Sequence, residues 1–127
     1  MKKWIARLGM MLFVLTVCAS SAAADVTAAD LRSVYDQYCD AAWADLSSDG
    51  TSLSLDTNPN NTDDYTNFSA YLAIEPVNKA LGLPGSVFTR MGSTTSMQGV
   101  QTATAGNLTV SWSYHPDNGM EIIYFID

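Results

Sequence analysis

The stretch Leu108-Thr109-Val110-Ser111-Trp112-Ser113-Tyr114, followed after His115-Pro116-Asp117-Asn118-Gly119 by Met120-Glu121-Ile122-Ile123-Tyr124-Phe125-Ile126, decides the fold. Both arms change polarity with a period of two, the period of a strand that buries one face. The residues between them are turn chemistry, because proline pre-sets φ and Asn-Gly tolerates positive φ. A simple hairpin puts Leu108, Val110, Trp112 and Tyr114 on one face with Met120, Ile122, Tyr124 and Ile126. The other face carries Thr109, Ser111 and Ser113 beside Glu121, Ile123 and Phe125. Upstream, Val100 to Thr104 reads as a third strand joined through Ala105-Gly106-Asn107, which makes the C-terminal part an antiparallel meander.

Toward the N-terminus the period becomes helical. Thr27 with Asp30 three residues later has the form of a capping box, and Leu31, Val34, Tyr35, Tyr38, Ala42 and Leu46 form one apolar stripe, so a helix is expected from about Ala28 to Leu46. Cys39 and Trp43 stand at the edge of that stripe, and Ser47-Ser48-Asp49-Gly50 ends it. Ser52 to Leu55 alternates like a short strand and runs into the turn residues Asp56 to Asn61. A second helix is expected with Thr62 as N-cap, Asp63 and Asp64 in its first turn, and Tyr65, Phe68, Tyr71 and Leu72, with Ala73 beside them, on its buried side. Glu75-Pro76 should break or kink it before a continuation to Gly82, and another helical turn should cover Ser86 to Gly92. The expected class is α+β, with the N-terminal helices packed on one face of a three- or four-stranded antiparallel sheet.

The first 24 residues read as a secretory signal peptide. Lys2, Lys3 and Arg7 precede a largely apolar run from Leu8 to Val17, and Ala22-Ala23-Ala24 supplies small residues for cleavage before Asp25. Residues 25–127 are then a single small domain, exported to the periplasm, the cell surface or the medium. Leu15-Thr16-Val17-Cys18 has the outline of a lipobox, but Val17 is not the small residue that lipidation of Cys18 asks for, so no lipid anchor is expected. No later segment is apolar for the roughly 20 residues of a membrane-spanning helix. All thirteen carboxylates lie from Asp25 onward with only Arg32, Lys79 and Arg90 as cations, a net charge of -10 for that part of a chain whose total is -7. Such a surface repels nucleic acid and anionic lipid.

Chemical motifs are sparse. Cys39 is the only thiol after Asp25, so no internal disulfide is available there. Cys39, His115 and Asp117 contain the residue types of a thiol hydrolase, but Cys39 lies in an expected helix without a Gly-rich elbow and His115 precedes a proline. A buried thiol and an exposed turn histidine are the expected states, and no enzyme is expected. One His and one Cys cannot make a zinc site. Asp56, Asn58, Asn60, Thr62 and Asp64 alternate like the first ligands of a calcium loop, yet Asn61 replaces its glycine and Asn67 stands where the bidentate Glu belongs. A calcium module is therefore the alternative reading, and no cofactor is expected. Asn60, Asn67 and Asn107 begin N-x-Ser/Thr sequons, which matter only in a glycosylating host.

The positive clue is apolar sheet surface. Ile123 and Phe125 point to a face whose neighbouring strand offers Ser and Thr, and they are the expected partner-binding residues unless the first helix or Leu53-Leu55 covers them. Val77-Asn78-Lys79-Ala80-Leu81-Gly82-Leu83-Pro84, followed by Trp112-Ser113-Tyr114 and a closing strand from Ile122 to Asp127, resembles the order of the SmpA/OmlA (BamE-like) envelope lipoproteins and the similar β-lactamase-inhibitor-like modules. The resemblance covers the C-terminal half, with Ser86 to Gly92 intervening. It implies a small domain of two helices and an antiparallel sheet that binds other proteins. The expected function is thus a non-enzymatic interaction module of the envelope or secreted fraction, whose partner is a protein.

Overall fold

The computed structural model describes residues 25–127; the segment read as a signal peptide, with Cys18, lies outside the described residues. The chain runs α1 (Ala28–Tyr38), β1 (Ala44–Leu46), β2 (Ser52–Asp56), α2 (Phe68–Ala80), α3 (Gly85–Gly92), a 3₁₀ turn (Ser96–Gln98), β3 (Gln101–Ala105), β4 (Leu108–His115) and β5 (Gly119–Ile126). The five strands form one antiparallel sheet in the order β1-β2-β5-β4-β3. This is the expected α+β class with one strand more than expected. No described helix is long and apolar enough to cross a membrane.

The β4–β5 hairpin has the register that its alternation demands, pairing Leu108 with Ile126, Val110 with Tyr124, Trp112 with Ile122 and Tyr114 with Met120. Of that face, Leu108, Val110, Trp112, Met120, Ile122 and Tyr124 are buried. Burying each such side chain contributes roughly 1.5–3 kcal/mol before the entropy of ordering it is subtracted. Leu53 and Leu55 of β2 join the same core, as do Leu31 and Val34 of α1, Ala70, Ala73, Ile74 and Val77 of α2, and Val87 and Met91 of α3.

Three helical expectations are corrected. First, α1 begins with the Thr27–Asp30 capping box but ends at Tyr38, where Cys39 turns extended. Asp40 then closes a tight turn, its side chain accepting from the Ala42 amide at 2.8 Å and its carbonyl from Trp43 and Ala44. Ala44–Leu46 thereby becomes an edge strand against β2. Burial of Trp43 in the core outweighs the local helical pattern.

Second, α2 starts at Phe68, capped by the Asn67 side chain on the Ala70 amide at 3.0 Å, and not at Thr62. Asp63 and Asp64 therefore lie in a loop, and the stripe of Tyr65, Phe68, Tyr71 and Leu72 faces outward. The helix carries two apolar stripes, and the one with small residues, Ala70 and Ala73 beside Ile74 and Val77, approaches the sheet most closely.

Third, the expected break is absent, and the helix continues through Pro76. Pro76 removes the donor to the Leu72 carbonyl, and burial of Ile74 and Val77 on either side of the proline offsets a cost of about 3 kcal/mol. The helix ends in a Schellman motif at Gly82 (φ +82°), with the Leu83 amide on the Asn78 carbonyl at 3.0 Å and the Gly82 amide on Lys79 at 3.1 Å.

Two asparagines that the sequence did not single out for this role serve as buried polar joints. Asn78 on α2 accepts the Tyr124 hydroxyl at 2.6 Å and donates toward the Met91 sulfur at 3.5 Å, tying two helices to β5. Asn58 is fully buried, donating to the carbonyls of Thr62 at 2.7 Å and Asp117 at 3.1 Å while accepting from the Thr62 amide. Beside it Gly119 has φ +73°, and a Cβ there would lie 2.6 Å from the Asn58 Cβ and 2.7 Å from the Thr57 hydroxyl.

Gly119→Ala is expected to cost about 2–3 kcal/mol or more in urea unfolding, since strain and collision act together. Gly106→Ala, at φ +59° with nothing within 4 Å, is expected to cost about 1 kcal/mol. Equal losses at the two positions would show that the collision with Asn58 is absent.

Candidate functional site

All three helices pack on the face of the sheet that carries Trp112 and Tyr124, and the other face is open. Neither α1 nor β2 covers Ile123: α1 packs on the opposite side, and Leu53 and Leu55 point into the core. Strand register sets the open face out in rows. One runs Asp45, Ser54, Ile123, Ser111, Thr102 across all five strands. The next runs Ser52, Phe125, Thr109, Thr104, and at the other end lie Asp56, Glu121 and Ser113. With strands roughly 4.8 Å apart, the longest row spans about 19 Å.

Ile123 sits at the centre of this face and is 44% exposed, whereas Phe125 is half-buried. The hydroxyl side chains around them are short, so the two apolar groups stand proud of a flat polar field. Carboxylates mark its margins: Asp45 on β1, Asp56 and Glu121 at one end, and Asp127 at the other, whose two oxygens accept from the Thr109 hydroxyl at 2.9 Å. Among the described residues no strand contributes a lysine or arginine. Arg90 of α3 donates to the Thr102 carbonyl at 3.2 Å and lies 5.0 Å from the Trp112 ring centroid. That contact occupies part of the β3 edge.

Partial burial first, and the charge of Asp56 second, hold the Glu121 carboxyl above its ordinary range. At the tip of the loops, Asp63 is likewise raised by a hydrogen bond to Asp117 and by its charge.

The remaining candidate residues do not assemble. Cys39 is packed against the core, and burial pushes its thiol up to about 11, so it stays protonated at neutral pH. It lies beside the buried Tyr124 hydroxyl, which burial and then Cys39 raise. His115 pairs with Gly119, five residues along β5 from Tyr124, roughly 17 Å of strand, and is exposed. Its Nδ1 accepts from the Asp117 backbone amide at 3.1 Å, while the Asp117 side chain meets Asp63. The structure thus does not bring thiol, imidazole and carboxylate together.

In the Asp56–Asp64 loop, Asp56 accepts from the Asn58 amide at 2.8 Å and the Asn58 side-chain oxygen is taken by Thr62. These two side-chain oxygens are thus taken up within the loop, and among the described residues no group of three or more His, Cys, Asp or Glu is arranged to hold a metal ion. Of the sequon asparagines, Asn67 caps α2 and Asn107 pairs with both backbone groups of Val26 at 2.8 Å.

Compared with family models, curated proteins and solved structures, the chain matches none.

An acid raised on folding holds its proton more tightly in the folded state, so ionisation weakens the fold as pH rises through that raised value. Below the unfolded value both states are protonated and the penalty is gone. Glu121→Gln is therefore expected to raise the melting temperature slightly at neutral pH, with the gain vanishing by about pH 3. A gain that persists in acid would assign it to something other than charge.

Proposed function

We propose that the protein is an exported, non-enzymatic interaction module that docks a protein partner on the open face of its sheet through Ile123 and Phe125. The observation that carries this reading is the one-sided packing of the helices, which leaves an exposed isoleucine at the centre of a five-stranded sheet. The carboxylate margin and the net charge of -10 from Asp25 onward favour a partner whose contact surface is apolar at its centre and basic at its rim. A second copy would oppose carboxylate to carboxylate. The signal-peptide pattern of residues 1–24 supports export, and the resemblance to small envelope modules supports the binding class.

Immobilised protein should retain a specific component of an envelope extract, identified by mass spectrometry, and Ile123→Ser should weaken that capture with an almost unchanged melting temperature. Phe125→Ser should weaken it as well, and raised salt should weaken it further by screening the acidic rim. Capture indifferent to both substitutions would overturn the docking face. A cytosolic product retaining Met1, or turnover abolished by replacing one side chain, would overturn export or the non-enzymatic reading.

A further inference from the structure

On the helical side of the molecule, away from the open face, α2, α3, the loop before α2 and the turn-proximal ends of β4 and β5 border an open recess of about 330 Å³. Tyr71, Met91, Gly92, Thr94, Tyr114 and Met120 line it. We propose that this recess binds a small uncharged aromatic molecule, of one ring or two fused rings, with a single hydrogen-bonding substituent.

The volume falls at the lower end of ligand sites, roughly 300–1,000 Å³. Tyr71 and Tyr114 are its more exposed lining, beside the nearly buried Met91 and Met120, and ring-to-ring contacts favour an aromatic guest over an alkyl one of equal size. None of the lining residues carries a charge, so an ionic guest would lose hydration without gaining a counter-charge. The acidic surface from Asp25 onward further disfavours an anion.

The two inner threonines are already committed. The Thr57 hydroxyl accepts from the Met120 amide at 2.7 Å, and that of Thr94 accepts from the Trp112 indole at 2.8 Å while donating to the Arg90 carbonyl at 2.7 Å. Recognition of a polar substituent therefore falls to Thr66, Tyr71 and Tyr114. Next to Tyr71 on α2, Phe68 and Leu72 are 69% and 55% exposed, an apolar approach that the sheet packing leaves unused.

The test is titration of the isotope-labelled full chain with indole, followed by amide chemical shifts. Saturable shifts at Met91, Gly92, Tyr114 and Met120 are expected. Gly92 lines the recess, lies outside the left-handed region, and has nothing within 4 Å of a built Cβ, so Gly92→Leu sets a bulky side chain at the recess without collision or backbone strain. It is expected to weaken indole by about tenfold or more at an unchanged melting temperature. Tyr71→Ala, at an exposed helix position, removes one wall and is expected to weaken it severalfold. Cyclohexanol, benzoate and phenyltrimethylammonium should each bind more weakly than indole. No shifts with indole, undiminished binding in both variants, or equal binding of any of the three other probes overturns the proposal.

Discussion

The constraint on which the rest of the structure depends is that β5 is paired along both edges while the helices cover only one of its faces. Hydrogen bonds to β2 and β4 satisfy its backbone on each side, so its side chains have only two directions available. Met120, Ile122 and Tyr124 go inward and Glu121, Ile123 and Phe125 outward, and a slip of one residue would exchange the two sets. The same pairing carries the alternation to Leu53 and Leu55 on one side and to Val110 and Trp112 on the other. Everything that the open face can do follows from this partition.

Polar joints hold the helices and loops to that sheet where apolar packing alone would let them slide. Asn78 couples α2 and α3 to the Tyr124 hydroxyl inside the core, and an unmade bond there would leave a buried polar group at a cost of roughly 1–3 kcal/mol. At the other end, Asn58 and Thr57 close on the β4–β5 turn so tightly that position 119 admits no side chain. The glycine therefore serves two ends, the positive φ of the hairpin and the approach of a loop from a distant part of the chain.

The open face and the recess lie on opposite sides of the same hairpin, and their chemistry differs accordingly. The outward side is flat, hydroxyl-rich and bounded by carboxylates, a surface suited to another surface. The inward side is concave near Tyr114 and Met120, and its uncharged lining with two tyrosines is suited to a ring.

Alternation between Leu108 and Ile126 was sufficient to read the hairpin, its register and the outward placement of Ile123 and Phe125, because a strand's two faces are a local property of the backbone. The Thr27 cap was legible for the same reason. The end of α1 at Tyr38 was not, since nothing near Cys39 forbids helix and only the burial of Trp43 and the pairing of Ala44 with Leu55 decide it. Nor could the chain by itself choose between the two apolar stripes of α2. Sheet packing selects the stripe with alanines and turns Phe68 and Leu72 outward. Sequence determined what each strand shows to its two sides; tertiary packing alone decided which side is covered, because a face becomes interior only when a distant element closes over it.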